Sequence, residues 1–197
     1  MTNPPFPEAA TKAERALNWQ KIAEISGADF GFKEPAPTTP AKYRFAVRIL
    51  LLSDRGEICV VKSEKYNYLQ ILGGGIEPNE SIIAAAKRET REESGYLLRD
   101  IEALGYTIEY RDPTQSGRDW TCSVSFVFRA TAAENVGTSY TEDEIAEGFT
   151  PVWLSADEIA KTLQSSAGQI TDYNGNFSNR RDLMIIQKNQ QQTFPRK

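Results

Sequence analysis

The sequence predicts a mixed β-sheet enclosed between layers of helices. Two observations carry this prediction: short apolar runs rich in β-branched residues recur along the chain, and helical segments stand in its middle and towards its end. A length of 197 residues suits one domain with appendages, and it is large enough to bury a core without disulfides or structural metals.

The N-terminal segment is predicted to be helical. Residues Glu8 to Ser26 place apolar side chains at helical spacing, and the Pro- and Gly-rich stretch from Gly27 to Lys42 is typical of a connector. We therefore divide the chain into an N-terminal helix with its connector, residues 1–40, and a main domain, residues 41–197, that we expect to fold alone. A helix packed on the flank of the domain is the simpler interpretation, and a dimer contact is the alternative.

Three strands are predicted to lead to a glycine loop. Tyr43 to Leu52 and Glu57 to Lys62 are apolar and β-branched, and the polar turn between them indicates a hairpin. Tyr68 to Leu72 is a third, short strand that ends at Gly73, Gly74 and Gly75, which form the glycine loop.

The second half of the chain adds strands and two helices. The segment from Trp120 to Ala130 alternates apolar and polar side chains, so we expect one face of that strand to be buried and the other exposed. Ser155 and Glu158 form a capping box that starts a helix. The predicted elements are strands at Ile101 to Arg111, Trp120 to Ala130 and Pro151 to Leu154, and helices from Ser155 through Leu163 and from Ser178 or Asn179 to about Gln190.

The composition excludes several kinds of chemistry. The chain contains no histidine, which argues against zinc sites and histidine-based catalysis. It has 23 basic and 27 acidic residues without a basic stripe, so we expect no binding of nucleic acid. No apolar run reaches the length of a membrane span and no export signal is evident, so we expect no membrane association and a cytoplasmic location. Cys59 and Cys122 lie in strand-like runs and are predicted to be buried thiols.

The central segment from Leu72 to Tyr96 carries the strongest functional signal. Asn79, Glu80 and Ser81 offer a helix start, and the residues that follow are good helix formers. Gly95 stands where a left-handed residue usually ends a helix. The segment is therefore predicted to be a loop followed by a helix.

Three glutamates on this helix are predicted to share one face. Glu89, Glu92 and Glu93 follow i, i+3, i+4 spacing, at which like charges disfavour a helix by about 0.2–0.5 kcal/mol per pair. A bound cation relieves that repulsion, and carboxylate oxygens are ligands that Mg²⁺ prefers. For the three glutamates alone, a solvated acidic face is the alternative.

The spacing of the whole segment resembles the Nudix box, G-x5-E-x7-R-E-U-x-E-E-x-G-U, in which U is a bulky aliphatic residue. The resemblance covers 23 of the 197 residues, from Gly74 to Tyr96, and every glycine and charged position matches. Thr90 and Tyr96 stand at the two U positions, Leu72 stands where proline is frequent, and Asn79 stands where glycine is common. These departures affect packing and remove no ligand.

The resemblance implies an α/β/α sandwich and assigns roles to the matching residues. Glu89, Glu92 and Glu93 are implied to bind Mg²⁺ or Mn²⁺ together with the carbonyl oxygen of Gly73, and Glu89 is our choice of general base. The structural positions of the box are implied to brace the loop against the helix: Gly74, Glu80, Arg88 and Gly95.

Further candidates lie outside the box. Members of the family often use a fourth carboxylate before the strand that corresponds to Pro151 to Leu154, and we choose Glu147 over Glu144, with Glu147 also the rival general base. Lys62 is expected to meet a phosphate and Tyr68 to stack on a base. Four other aromatic residues are candidates for stacking, Tyr66, Trp120, Phe126 and Tyr173, although a place in the core is the commoner one for an aromatic residue on a strand. The triplet Arg180, Arg181 and Asp182 is a candidate for a phosphate contact, but a surface position is the simpler interpretation.

The resemblance implies a Mg²⁺-dependent hydrolase that cleaves a diphosphate bond in a nucleoside diphosphate derivative or another diphosphate-containing small molecule. Members that act on ADP-ribose tend to place strands in the N-terminal segment, so its helical pattern favours nucleoside triphosphates, including oxidised ones. A nucleotide-sensing binding module without catalysis is the alternative from another class. A metal-dependent isomerase is disfavoured because no cysteine stands beside the box, and a monomer and a homodimer are both compatible with the sequence.

Overall fold

A computed structural model describes residues 4–32, 42–65, 68–119 and 122–191. Most of the predicted connector, together with Tyr66 and Trp120, lies outside these residues. The elements in chain order are α1 (Lys12–Arg15), β1 (Lys21–Ile25), a 3₁₀ turn (Gly27–Phe30), β2 (Tyr43–Leu52), β3 (Ile58–Ser63), β4 (Tyr68–Ile71), α2 (Ile82–Ser94), β5 (Tyr96–Tyr110), α3 (Pro113–Ser116), β6 (Cys122–Asn135), α4 (Glu142–Ala146), β7 (Phe149–Leu154), α5 (Ala156–Ala167) and α6 (Tyr173–Gln191).

The described strands form one mixed seven-stranded sheet, which confirms the predicted fold class. Its order is β1-β5-β6-β2-β3-β4, and β7 pairs with β3 away from this path. The pairs β1–β5 and β2–β6 are parallel, and the others are antiparallel. Helix α2 packs on one face of the sheet, and α5 and α6 cover the other.

Because helices cover both faces, β6 is buried on both sides. The prediction of one exposed face is therefore wrong: Phe126 and Phe128 face α2, and Ser123 and Ser125 are equally buried on the opposite side. Cys59 and Cys122 are free, buried thiols as predicted. Burial raises the pKa of both thiols to about 12, so neither is a reactive nucleophile at neutral pH.

The N-terminal segment differs from the prediction. A helix is present but spans only the single turn of α1, and the rest of the predicted range contains β1, which lies beside β5 at the edge of the sheet. The backbone of Gly105 makes this pairing possible, because a Cβ there would lie 2.2 Å from the carbonyl oxygen of Gln20. The parallel partner β5 lies far away in sequence, so local periodicity alone could not identify the strand.

Side chains of the N-terminal segment complete the core beneath α2. The ring of Trp19 contacts the rings of Phe126 and Phe128 edge-on, with centroids 4.9 and 5.4 Å away. Buried Glu14 accepts a hydrogen bond at 2.7 Å from the amide of Ile83, in the first turn of α2. The division at residue 40 stays a prediction, but these contacts argue against residues 41–197 folding alone.

The C-terminal helices are longer than predicted. Helix α6 begins five residues before Ser178, because the carboxylate of Asp172 accepts the amide of Gly175 at 2.6 Å and Phe177 is buried in the core. Arg181 and Asp182 are buried too, so their predicted surface position is wrong, whereas Arg180 is exposed. No helix in the described ranges is both long and apolar enough to cross a membrane.

Candidate active site

The glycine loop lies directly along β2. The amide of Val47 donates to the carbonyl of Gly74 at 3.0 Å, and the amide of Ile76 donates to the carbonyl of Phe45 at the same distance. Gly73 has a φ of 131°, and a Cβ there would come within 2.1 Å of the Val47 carbonyl oxygen. Only glycine therefore fits at this position.

The carboxylate of Glu89 packs against Gly74. A Cβ on Gly74 would lie only 2.5 Å from an oxygen of that carboxylate, so the glycine leaves the space that the acid fills. Burial raises the pKa of Glu89 above its ordinary value, although a hydrogen bond from Arg88 opposes the shift. Gly74 in the loop and Glu89 in the helix that follows it thus meet in the fold.

Glu93 is also attached to the loop. Its carboxylate accepts a hydrogen bond at 2.6 Å from the amide of Gly73, and the residue is only 6% exposed. Glu92 is more accessible, with 41% of its side chain exposed. Two of the three glutamates therefore contact the glycine loop, and the third lies nearer to solvent.

Arg88 connects the loop to the helix. Its guanidinium donates to both carboxylate oxygens of Glu80, at 2.9 and 3.0 Å, and to the carbonyl of Gly75 at 2.9 Å. It also donates to Glu89 at 2.8 Å and to Glu92 at 3.1 Å. These contacts support the predicted bracing role of Glu80 and Arg88.

We expect Glu80→Gln to lower the free energy of unfolding by about 1–2 kcal/mol at pH 7, because Arg88 loses a charged partner. The hydrogen bond from Arg88 holds the pKa of Glu80 below its ordinary value of 4.5. The carboxylate therefore stabilises the fold fully above that value, and the stabilisation is lost as the pH falls through the lower, folded-state pKa.

Thermal melts of Glu80→Gln and wild type should accordingly converge as the pH falls below 4.5 and stay apart above it. The exposed neighbour Glu77 provides a charge-matched control, and Glu77→Gln should melt like wild type. A difference between Glu80→Gln and wild type that persists at low pH would show that the effect does not come from the ion pair.

The acidic side chains of α2 are held by protein groups. Across the ranges that the structure describes, no three acidic or thiol side chains come together as a metal-binding group. Arg88 donates hydrogen bonds to Glu89 and Glu92, and the Gly73 amide donates one to Glu93. The oxygen donors nevertheless fit a hard divalent cation, because the half-buried carboxylate of Glu89 lies against Gly74 and α2 adds two more carboxylates within one turn.

Arg48 is a residue of this site that sequence reasoning missed. It lies in the middle of β2, it is 5% exposed, and its guanidinium donates a hydrogen bond to the carbonyl of Gly73. A carbonyl oxygen has two lone pairs, so this contact leaves one for the predicted metal. The sequence signal that could have identified Arg48 is a charged residue inside an otherwise apolar strand.

The segment before α4 is tied to the end of α2. The hydroxyl of Tyr140 donates to the carbonyl of Glu93 at 2.6 Å, and the amide of Ser139 donates to the carbonyl of Glu92 at 2.8 Å. The rings of Tyr140 and Tyr68 each contact the ring of Phe149 edge-on, with centroids 6.4 and 6.5 Å away. The segment that leads to Glu142, Glu144 and Glu147 therefore starts beside the C-terminal end of α2.

Glu147 and Lys62 lie near the end of β3. The hydroxyl of Ser63 donates to the carbonyl of Glu147 at 3.1 Å, which fixes the backbone that carries this acid. Lys62 is exposed on β3 and Tyr68 is half-buried on β4. The roles of all three residues stay predictions, and the side chain of Glu144 lies outside the described part of the chain.

Two of the aromatic stacking candidates are already engaged. Phe126 is fully buried, and its ring contacts Trp19, Phe6 and Phe45. The hydroxyl of Tyr173 accepts the amide of Asp112, and its ring packs on Phe177 and Phe32. These contacts form core and helix packing, which is the alternative to base stacking that we expect for most aromatic residues of the chain.

A cleft of about 590 Å³ opens beside the glycine loop. It is bounded by the start of β2, by the loop that leads into α2, and by the N-terminal segment, and neither Lys62 nor Tyr68 lines it. Exposed Tyr43 stacks on Phe45 at its wall, with ring centroids 5.9 Å apart. The lining residues are Pro7, Glu8, Ala9, Lys42, Tyr43, Arg44, Phe45, Gly75, Ile76, Glu77, Pro78, Asn79, Glu80 and Asp119.

Known proteins resemble this chain in sequence and in fold. An RNA pyrophosphohydrolase of Legionella pneumophila is 35% identical over 78 residues, which are 38% of this chain and 45% of the relative. An NAD-capped RNA hydrolase, NudC, of Mycobacterium tuberculosis is 25% identical over an alignment of 177 residues that covers 79% of this chain and 50% of the relative. The chain thus spans about half the length of these curated relatives.

A NUDIX hydrolase from Nitrosomonas europaea shares the fold, with a TM-score of 0.50 and 22% identity over 62% of this chain and 79% of that one. The family model for the NUDIX domain matches residues 42–173, which is more than half of the chain and includes the loop, α2 and the whole path from β2 to β7. The chain therefore belongs to the Nudix family.

Proposed function

We propose that the protein is a Mg²⁺-dependent hydrolase, with Mn²⁺ as a substitute, that cleaves a diphosphate bond in a nucleoside diphosphate derivative. The observation that carries this proposal is the packing of Glu89 and Glu93 onto Gly74 and Gly73. Carboxylates held against a glycine loop place oxygen ligands for a cation next to a backbone without side chains.

The proposed roles follow from the contacts of each side chain. Glu89, Glu92, Glu93 and the Gly73 carbonyl are the proposed metal ligands. A divalent cation, when bound, neutralises phosphate charge and lowers the pKa of bound water. Glu89 is the proposed general base because its carboxylate lies directly against the glycine loop, and Glu147 is the alternative.

Arg88 is proposed to fix the loop through Glu80 and Gly75 and to hold the carboxylates of Glu89 and Glu92 in place before the cation arrives. A cation held by Glu89 and Glu92 would take the place of the hydrogen bonds that Arg88 makes to them, and the bidentate bond of Arg88 to Glu80 would still fix the loop.

The cleft beside the loop supports a substrate of nucleotide size. Its volume lies in the range of small-molecule sites, and exposed Tyr43 offers an aromatic surface for a base. The preference for triphosphates over ADP-ribose depended on a helical N-terminal segment. Because that segment contains β1, the reason for the preference no longer holds, and we propose both as substrates to be tested.

The names of the two curated relatives favour a second class of substrate, the 5′ end of RNA. Such a substrate carries the same diphosphate linkage. The net charge of −4 opposes long contacts with a nucleic-acid backbone, so on this chain only the terminal nucleotides are proposed to bind.

A turnover panel tests the proposal. Nucleoside triphosphates, ADP-ribose, dinucleoside polyphosphates, 5′-triphosphorylated RNA and NAD-capped RNA are compared at fixed Mg²⁺, at fixed Mn²⁺ and in excess EDTA. We expect at least one nucleotide substrate to be hydrolysed with metal and none with EDTA, because the acidic groups need a cation to bind phosphate.

Three results would contradict the proposal. Hydrolysis in excess EDTA would exclude the metal. A non-nucleotide diphosphate with a kcat/KM tenfold above every nucleotide would exclude nucleotide specificity. Nucleotide binding in calorimetry without turnover of any substrate would favour the alternative, a sensing module.

A further inference from the structure

The chain changes its strand partner just before the glycine loop. In β4, Ile71 pairs with Val60 of the neighbouring strand β3. One residue later, the carbonyl of Leu72 accepts the amide of Ile49 on β2 at 2.9 Å, and the glycine loop then continues along β2. The point at which the chain crosses from β3 to β2 therefore helps to set where the loop lies against β2.

A side chain of α6 holds the backbone amide at this crossing. The amide of Ile71 donates to a carboxylate oxygen of Asp182 at 3.0 Å. Asp182 is only 1% exposed, so its carboxylate is shielded from water. Hydrogen bonds to an ionised acceptor are stronger than those between neutral groups. Asp182 thus fixes the chain two residues before Gly73.

A series of buried charged groups orients this carboxylate. The other oxygen of Asp182 accepts a hydrogen bond at 2.8 Å from Nε of Arg181. Arg181 also donates to Glu109 on β5 at 3.4 Å, and Glu109 accepts from Nε of Arg111 at 3.0 Å. All four side chains are at most 5% exposed. Because both oxygens of Asp182 are engaged, its carboxylate has little freedom to turn away from the Ile71 amide.

The same short stretch of backbone is held from the other face of the sheet. Glu93 on α2 accepts the amide of Gly73 at 2.6 Å, and α2 and α6 pack on opposite faces. Asp182 lies beyond residues 42–173, which match the family model, so its role does not follow from the family resemblance. The loop is therefore fixed by one carboxylate from each helical layer.

We propose that Asp182 is a positioning residue of the active site, which fixes the amide of Ile71 and thereby sets the position of the Gly73 carbonyl on β2. The proposal rests on the proposed function, in which that carbonyl is a metal ligand. Loss of a group that orients a metal ligand without contacting the metal typically weakens metal affinity by about 10–100-fold.

Asp182→Asn tests this role through metal binding in the absence of substrate. Asparagine has nearly the same size but one oxygen instead of two, so it cannot accept from Arg181 and from Ile71 with separate oxygens. The dissociation constant of Mn²⁺ is measured from the electron paramagnetic resonance signal of the free ion. We expect this constant to rise by about tenfold or more over that of wild type.

A control variant separates this effect from a general loss of stability. Ile25→Ala removes buried packing on β1, at the opposite end of the strand order from β4, and should lower Tm. Its dissociation constant for Mn²⁺ should nevertheless equal that of wild type. An equal weakening in Ile25→Ala and Asp182→Asn would show that the affinity only follows stability, and it would overturn the proposal.

Amide hydrogen exchange separates positioning of the loop from the loss of a negative charge. Removing a carboxylate near the site weakens its attraction for a cation, but a displaced loop also changes amide exchange in the metal-free protein. In metal-free Asp182→Asn we expect the amide of Gly73 to exchange faster relative to the amides of β6. Unchanged relative exchange would overturn the proposal, because the loop would keep its place without Asp182.

The outcomes distinguish this proposal from the proposed function. Equal Mn²⁺ binding by wild type and Asp182→Asn would overturn only the role of Asp182, whereas no Mn²⁺ binding by wild type would overturn the metal site as well. If Asp182→Asn does not fold, Arg181→Lys carries the same test. Lysine keeps the positive charge and lacks the Nε that orients the carboxylate, so the same weakening is expected, and its absence would overturn the proposal.

Discussion

Glu93→Gln is expected to reduce kcat on the order of 10²-fold or more while leaving the protein folded. The carboxylate is buried on the glycine loop, and the glutamine side chain has the same size and keeps an oxygen that can accept the Gly73 amide. The substitution therefore removes charge and not packing. Charge at this position is what the proposed mechanism requires for cation binding and for stabilising the transition state.

Two comparisons sharpen this experiment. Glu134→Gln removes an exposed carboxylate at the end of β6 and should leave kcat unchanged. Glu80→Gln should weaken turnover less than Glu93→Gln does, because Glu80 contacts the loop and Arg88 and is not a proposed ligand. Undiminished turnover of Glu93→Gln, with an unchanged requirement for Mg²⁺, would refute its role as a ligand.

Trp19→Ala is expected to lower the free energy of unfolding by about 3–5 kcal/mol, the usual cost of removing a large buried aromatic side chain. The indole is 5% exposed, lies against Phe126 and Phe128, and donates from its ring nitrogen to the carbonyl of Glu14 at 2.7 Å. Urea unfolding monitored by far-ultraviolet circular dichroism, which does not rely on tryptophan fluorescence, measures the change in the free energy of unfolding.

Leu17 lies on the same segment at 36% exposure, so Leu17→Ala should stay within about 0.5 kcal/mol of wild type. A chain truncated before residue 42 gives the complementary result, since it lacks Trp19, Glu14 and β1 together. If that chain unfolded at the same urea concentration as the full protein, the N-terminal segment would be a separable appendage after all.

Local sequence signals were enough to predict the loop and the helix α2 that make up the Nudix box. Ser81 accepts the amide of Ala84 and begins α2, and Gly95 ends it with a φ of 77°, as the sequence predicted. Both ends depend on side chains and backbone within one helical turn. The meeting of Glu89 with Gly74 follows from the same short segment.

Long-range contacts account for the errors. Lys21 to Ile25 is ambiguous between helix and strand until β5 is available as a partner, and Arg181 looks like a surface residue until Glu109, from a distant strand, lies opposite. Ser125 alternates with apolar residues and is nevertheless buried, because α6 covers its face of the sheet. Hydrophobic periodicity shows how side chains alternate along a segment. It does not show which distant strands or helices pack against that segment.

The parallel pairing of β1 with β5 has a consequence for biosynthesis. The ribosome completes Lys21 long before Tyr106, with which it pairs, so β1 has no native partner while β2 to β4 and α2 are being made. Pairings between residues so distant in sequence form slowly, because a long loop must close first. The early-made strand is therefore among the last to dock, and until it does, β5 remains an open edge at which another nascent chain can pair.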